Sequence, residues 1–90
     1  MTAMAAVPSF RRGVKFRFDS VRSAWVVLAP ERLLLPDEIA VEILKLVDGS
    51  RSIEAIIDDL ALRFDAPREV IAADVAEALQ DLAGRGAVDL

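Results

Sequence analysis

The stretch GVKFRFDSVRSAWVVLAPERLLL, residues 13–35, decides the fold because it carries the β-strand signals of the chain. Its first segment alternates between an apolar face and a basic face, as a half-buried strand does. The apolar face carries Val14, Phe16 and Phe18, and the basic face carries Lys15 and Arg17. Polar turn residues follow at 19–23, and AWVVLA at 24–29 reads as a second strand, apolar on both faces. The stretch therefore predicts an antiparallel hairpin.

The segment RLLL, residues 32–35, predicts a short third strand but leaves its orientation open. Pro30 interrupts the ladder because it has no amide hydrogen, so this strand lies at an edge. In one interpretation Leu33 and Leu35 join the core, while Leu34 packs under the loop or against the single tryptophan. In the other, the edge has an apolar outer surface that accepts an extended peptide by β-augmentation.

From residue 36 onward, apolar residues recur at helical spacing in three runs. Asp37 and Ser52 are N-cap candidates for the first two helices. Gly49 can end the first helix in the left-handed conformation, and Pro67 fits the first turn of the third. The final glycines are expected to release a short tail, AVDL.

This order of elements predicts an α+β fold, with a three-stranded antiparallel sheet followed by a three-helix bundle. The helices are expected to pack on one face of the sheet, and a hairpin beside three helices is winged-helix-like. Residues 10–90 are predicted to form a single domain, and residues 1–9 a flexible arm. Because three strands cover one side of such a bundle, the third strand is a candidate free edge.

The residue inventory excludes most catalytic arrangements. The 90 residues contain no cysteine, histidine or tyrosine, so disulfides, thiolate metal sites and a Ser-His-Asp triad are excluded. We expect no enzyme activity, no metal and no cofactor. No segment has the pattern of a signal peptide or the roughly 20 apolar residues of a membrane span, so no membrane association and a cytoplasmic location are expected.

The net charge of −4 hides an asymmetry. Residues 1–35 contain six basic and two acidic residues, whereas residues 36–90 contain five basic and thirteen acidic ones. Two fields of opposite sign suit a protein that meets partners of both signs. The alternative is that the two halves partly neutralise each other.

The charges of the third helix argue against two other kinds of site, a cation site and a DNA-binding surface. Three acidic residues of the third helix, Asp74, Glu77 and Asp81, lie three and four positions apart, but a solvated helix face is favoured over a cation site because no calcium-type loop accompanies them. A DNA-binding winged helix is disfavoured, because Arg68 is the only basic residue of the third helix up to Leu82 and phosphate would be repelled there. No nucleic-acid partner is expected.

Four short motifs in order resemble one known family. They are RGV at 12–14, WVVLAPER at 25–32, DGSRS at 48–52 and DAP at 65–67. The run that contains them, from about Pro8 to the end of the chain, is similar to the PqqD family of pyrroloquinoline quinone (PQQ) biosynthesis. One departure is Pro36 before Asp37, where leucine is common in the family; a proline there would shorten the strand.

The resemblance implies a peptide-recognition domain of winged-helix type, shared with the leader-binding modules of ribosomally made, modified peptides. Members bind the precursor peptide PqqA and present it to PqqE, a radical S-adenosylmethionine enzyme, so the iron–sulfur chemistry belongs to the partner. In related modules the leader peptide adds as a strand beside the third strand and rests against the third helix, and the resemblance implies the same arrangement in this chain. The implied peptide-binding residues are Arg32, Leu33, Leu34, Leu35, Ala72, Val75, Ala76 and Leu79.

The sequence also suggests surfaces for two protein contacts, one with the enzyme and one with a second copy of the chain. The basic hairpin residues Lys15, Arg17 and Arg22 are the candidate contact for the enzyme. The apolar edge of the third strand is also a surface through which the domain could form a homodimer.

Overall fold

The predicted hairpin forms the centre of a three-stranded sheet in the computed structural model, which describes residues 4–90. Strand β2, Lys15–Asp19, pairs antiparallel with β3, Ala24–Ala29, and β3 pairs antiparallel with β4, Arg32–Leu34. The order β2-β3-β4 makes β3 the central strand. In this register Phe16, Val27 and Leu34 lie opposite one another across the sheet. They share the face that packs on the helices.

Three helices follow the sheet. They are α1, Glu38–Leu44, α2, Ile53–Arg63, and α3, Arg68–Gly84. The predicted α+β architecture is therefore confirmed. Within residues 4–90, no helix is both long enough and apolar enough to cross a membrane.

Local capping chemistry sets where the first two helices begin. The Asp37 carboxylate accepts a hydrogen bond from the Ala40 amide at 2.8 Å, and the Ser52 hydroxyl accepts one from the Ala55 amide at 3.1 Å. Each bond satisfies an amide that the first turn of a helix leaves without a partner. Gly49 does not end the first helix as predicted, because α1 ends at Leu44 with Lys45 as its C-cap residue. Gly49 lies in the bend that follows, with a φ of +78° that glycine adopts without steric cost. Pro67 precedes α3 as its N-cap residue rather than lying within the first turn.

The core lies between the sheet and the helices. Its completely buried members include Val27 from β3, Ile43 from α1, Ile56 and Ile57 from α2, and Leu79 from α3. The three helices and the sheet therefore share one apolar cluster. Burying a large aliphatic side chain contributes about 1.5–3 kcal/mol relative to leaving it exposed.

Residues 4–9 do not form the predicted arm. The carbonyls of Ala6 and Met4 accept hydrogen bonds from the Ile53 and Glu54 amides at 2.9 and 3.0 Å, and Pro8 is buried. These bonds satisfy the first two amides of α2, which have no partner within the helix. Residues 1–3 of the predicted arm lie outside the described residues.

The predicted tail is likewise part of the folded domain. Strand β1, Ser9–Phe10, pairs antiparallel with β5, Val88–Asp89, as a separate two-stranded sheet. Ala87 and Val88 are completely buried. Two-residue strands carry no alternation, so sequence periodicity could not reveal this pair.

The interpretation that Leu33 and Leu35 join the core is wrong. Leu34 points inward and packs against the core cluster, whereas Leu33 is 39% exposed and Leu35 is 65% exposed. Pairing with the buried Val27 fixes this orientation, because a shift of one residue would reverse every side chain of the strand. Leu35 lies beyond the end of the strand.

A pair of leucine truncations tests this core. Leu79→Ala should lower the free energy of unfolding by about 2–5 kcal/mol, because Leu79 has no exposed surface and its loss leaves a cavity. Urea denaturation followed by circular dichroism measures the change. Leu62→Ala is the matched control: Leu62 lies on α2 with 89% exposure, so its loss should change stability by less than about 0.5 kcal/mol. Equal effects of the two substitutions would contradict this core.

Candidate functional site

An open groove of about 560 Å³ lies between the end of β4 and helix α3. We call it the β4–α3 groove. The chain from β4 into α1 forms one wall, and one flank of α3 forms the other. The first wall consists of Leu34, Leu35, Pro36, Asp37, Ile39 and Ala40. The α3 wall consists of Asp74, Glu77, Ala78, Asp81, Leu82 and Arg85.

The groove runs beside a free sheet edge. Strand β4 is the last strand of its sheet, and within residues 4–90 no other strand pairs with its outer side. Such an edge presents backbone N–H and C=O groups that can pair with another chain. The exposed side chains of Leu33 and Leu35 flank this edge with apolar surface.

The groove combines an apolar floor with an acidic rim. Leu34, Ala78 and Leu82 all pack in or against the core cluster and supply the floor. On the α3 wall, among the residues described, no basic side chain lies within ion-pair distance of Asp74 or Glu77, while Asp81 pairs with Arg85 at 3.1 Å. Asp74, Glu77 and Asp81, which the sequence predicted to form a solvated helix face, therefore line the groove.

A second cavity, of about 980 Å³, continues from the groove on the other side of Leu35 and Ile39. The two cavities share Leu35, Pro36, Ile39 and Asp74. The second one is mostly apolar, with Trp25, Phe64 and Ile71 among the residues that line it. Together the cavities form one continuous depression around the start of α1.

Trp25 is held rigidly at this second cavity. Its ring stacks on Phe16 with 4.8 Å between ring centroids and meets Phe18 edge-on at 5.8 Å. The Lys45 ammonium lies 5.2 Å from the centre of the indole, within the range of a cation–π contact. As the single tryptophan of the chain, Trp25 can report on this region by its fluorescence.

An ion-pair cluster ties α1 to α2 beside the second cavity. Glu42 accepts hydrogen bonds from Lys45 and Arg63, both at 3.1 Å, and Arg63 also binds Asp59 at 2.9 Å. The hydrogen bond from Lys45 holds the pKa of Glu42 below its ordinary value of 4.5, with Arg63 adding to the effect and partial burial opposing it. The bonds to Asp59 and Glu42 raise the pKa of Arg63.

The predicted strand residues and helix residues are only partly brought together. Leu34 and Leu35 line the groove, and Arg32 and Leu33 lie exposed on the same edge. On α3, Val75 and Leu79 are completely buried; Val75 lies behind the second cavity. Ala72 and Ala76 are half-buried and line neither cavity.

The helix wall of the groove is therefore the other flank of α3. Asp74, Ala78, Asp81 and Arg85 recur every three or four residues on one side of the buried stripe, and Ala72 and Ala76 follow the opposite side. The small size of the alanines favoured a flank that does not line the groove. Which flank meets the strand depends on how α3 packs, and the local pattern does not contain this information.

The basic hairpin residues lie away from the groove. Lys15 and Arg17 point outward from β2, opposite Leu28 and Val26 of β3. Arg22 lies in the turn between β2 and β3 and pairs with Asp19 at 3.4 Å. Lys15 and Arg17 thus form one basic face, and Arg22 extends it only around the turn.

An unpaired sheet edge beside a helix-walled groove defines a class of small α+β domain that can accept an extended chain as an added strand. Comparison with known families is more specific. The family described as Coenzyme PQQ synthesis protein D (PqqD) matches residues 24–88. The chain belongs to this PqqD family.

Named relatives are similar over most of the chain. A "PqqA binding protein" of Rhodopseudomonas palustris (strain HaA2) is 60% identical over 79 residues, which cover 88% of this chain and 78% of the relative. A protein of the same name from Gluconobacter oxydans (strain 621H) is 46% identical and covers 91% of this chain and 85% of the relative.

Two solved structures share the fold. One is the solution NMR structure of the PqqD truncation of Methylobacterium extorquens PqqCD, described as a functional, stand-alone recognition element for ribosomally synthesised and modified peptides. It has a TM-score of 0.83 and 39% identity, and the match covers 100% of this chain and 96% of that one. The crystal structure of PqqD from Xanthomonas campestris has a TM-score of 0.58 and 35% identity, with 94% of both chains covered.

The Glu42 ion pairs make a testable contribution to stability. Because the pKa of Glu42 is lowered in the folded state, its stabilising effect is fully present above the ordinary pKa of 4.5 and is lost as pH falls through the folded-state pKa. Glu42→Gln should therefore lower the urea midpoint at pH 7, and the difference from wild type should shrink below about pH 4.5. Glu69→Gln, an exposed control on α3, should leave the midpoint unchanged; a pH-independent effect of Glu42→Gln would contradict the ion-pair explanation.

Proposed function

We propose that this protein binds the precursor peptide PqqA as an added strand on β4, in the β4–α3 groove, and presents it to the radical S-adenosylmethionine enzyme PqqE. The observation that carries the proposal is the unpaired apolar edge of β4 beside a groove, in a family whose relatives are named PqqA binding proteins. The protein contributes binding alone, and the chemistry belongs to the partner enzyme.

The groove favours β4 over the other edge of the sheet. Strand β2 is also an outer strand, but Lys15 and Arg17 project from it, and charged side chains are a common means of keeping an edge unpaired. Strand β4 has exposed leucines instead, and α3 provides a second wall. An added strand on β4 would gain both backbone hydrogen bonds and side-chain contacts.

Strand β4 is short, so its backbone hydrogen bonds alone would bind a peptide weakly. Only residues 32–34 form the strand, and Pro36 follows shortly after it. Ordering a flexible peptide costs about 2–5 kcal/mol, so micromolar affinity, about −8 kcal/mol, requires apolar contacts beyond the backbone bonds. Leu35 and Ile39 line the groove with exposed apolar side chains and are placed to make them, and Leu33 offers apolar surface on the other face of the same edge.

The domain would present the peptide to the enzyme by binding both of them at the same time. A peptide held on this domain while the domain contacts the enzyme reaches the active site at a raised effective concentration. Such an adaptor needs two separate surfaces. The groove serves the peptide, and the basic face of Lys15 and Arg17 serves the enzyme.

Amide hydrogen exchange tests the added strand. Addition of PqqA should slow the exchange of amides in β4, Arg32–Leu34, and leave those of β2 unchanged, because only one edge gains hydrogen bonds. Leu35→Asp should weaken PqqA binding about tenfold, since losing roughly 1.4 kcal/mol of apolar contact corresponds to that factor. Nitrogen–proton NMR of the labelled protein measures both. Leu34 is unsuitable for this substitution, because its side chain packs against the core.

Val21→Asp is the matched control, because Val21 is exposed in the turn between β2 and β3 and lines neither cavity. It should bind PqqA as the wild type does. Protection of β2 in place of β4, or full affinity of a natively folded Leu35→Asp variant, would contradict the proposal. Protection of β4 without peptide that rises with protein concentration would instead indicate a homodimer through the same edge.

The enzyme surface has its own test. Lys15→Glu and Arg17→Glu should each weaken binding to PqqE about twofold to fivefold at low salt, as expected for exposed ion pairs, and leave PqqA affinity unchanged. Surface plasmon resonance at several salt concentrations measures this. Arg68→Glu, the same charge change at the start of α3, should have no effect on PqqE binding. If all three variants bind PqqE like the wild type, this face is not the enzyme contact.

A further inference from the structure

The acidic rim of the β4–α3 groove is not used by strand addition itself. Backbone hydrogen bonds and leucine contacts require no carboxylates, yet Asp74 and Glu77 line the groove without an ion-pair partner among residues 4–90. Asp37 lies on the opposite wall and is already engaged as the cap of α1. Asp81 is neutralised locally by Arg85. The uncompensated charge is therefore concentrated on Asp74 and Glu77.

Side chains of an added strand meet this rim at every second position. Successive side chains of a strand point to opposite faces of the sheet, so half of them would point to the side on which Leu34 and α3 lie. Those side chains cross an apolar floor made of Leu34, Ala78 and Leu82 before they reach the carboxylates.

An apolar path that ends at carboxylates matches the shape of lysine and arginine. Their methylene stems cover apolar surface while their charged heads reach a polar environment, and their hydrogen bonds to carboxylates are charge-assisted. A purely apolar side chain would cover the carboxylates without pairing them, which is unfavourable. An acidic side chain would be repelled.

We propose that Asp74 and Glu77 determine peptide specificity, by selecting a lysine or arginine at a position of the bound peptide that points toward α3. The inference rests on the proposed function, because it assumes that the peptide adds to β4. The site then recognises its ligand in two ways. The strand edge accepts any extended backbone, and the acidic rim requires a basic side chain at one of the peptide positions that point toward α3.

A neutralised double variant tests the inference with PqqA as the probe. Asp74→Asn with Glu77→Gln keeps the shape of both side chains and removes their charge. It should weaken PqqA binding about fivefold to tenfold at 50 mM salt, the range for two exposed ion pairs, and flatten the salt dependence seen with wild type. Isothermal titration calorimetry at 50, 150 and 500 mM salt measures both effects, within the salt range over which screening changes most.

The matched control is Asp65→Asn with Glu69→Gln. It makes the same two chemical changes at exposed positions that line neither cavity, so it should retain wild-type affinity and salt dependence. A second arm replaces the lysines and arginines of PqqA with glutamine. This peptide should lose affinity for the wild type but not for the Asp74→Asn, Glu77→Gln protein, as expected when the two changes remove the same interaction.

The outcomes separate the inference from the proposed function. If PqqA slows exchange in β4 but both double variants bind it like wild type, strand addition stands and the selection by Asp74 and Glu77 is wrong. If the control loses as much affinity as the test variant, net charge rather than the rim is responsible, and the inference is also wrong. If PqqA neither binds nor protects β4, the proposed function fails and the inference fails with it.

Discussion

The row of Phe16, Val27 and Leu34 across the three strands is the constraint on which the site depends. Val27 is completely buried at its centre, and its two neighbours pack against the same core cluster. Because the side chains of a strand alternate, this row determines that Leu33 points outward. The chain then passes Leu35 and Pro36 into α1 without forming another strand. The outer edge of β4 is left unpaired because no further strand of residues 4–90 joins the sheet beside it.

The two ends of the described chain complete the domain at another place. Strands β1 and β5 pair with each other, and the carbonyls of Met4 and Ala6 bind the first amides of α2. Neither contact involves β4 or the groove wall on α3. The polar backbone groups at the start of α2 are thus satisfied within the chain, whereas the outer edge of β4 has no strand partner among residues 4–90. This contrast distinguishes the folded ends of the described chain from the open edge of the sheet.

Local signals predicted most of the fold and the strand side of the groove, but not its helix wall. Alternation revealed the hairpin, and Asp37 and Ser52 cap their helices as their chemistry suggested, whereas Gly49 lies beyond the end of α1. Three consecutive leucines have no alternation, so only the pairing with Val27 could decide which one turns inward. The flank of α3 was missed for a related reason: small alanines and acidic residues border the same buried stripe, and tertiary packing alone selects between them. The run of acidic residues on this flank, Asp74, Glu77 and Asp81, was the signal that could have identified the groove wall.

The separation of charge along the sequence becomes a separation of surfaces in the fold. Two of the basic residues before residue 36, Lys15 and Arg17, lie on the outer face of the sheet. Two of the acidic residues after it, Asp74 and Glu77, line the groove. Fields of opposite sign on separate surfaces steer ligands of opposite charge to different places and suppress the wrong pairing. On the proposed specificity, a basic side chain of the peptide would be attracted to the groove and repelled from β2, the other free edge of the same sheet. The two free edges of the sheet thus differ both in charge and in exposed apolar surface.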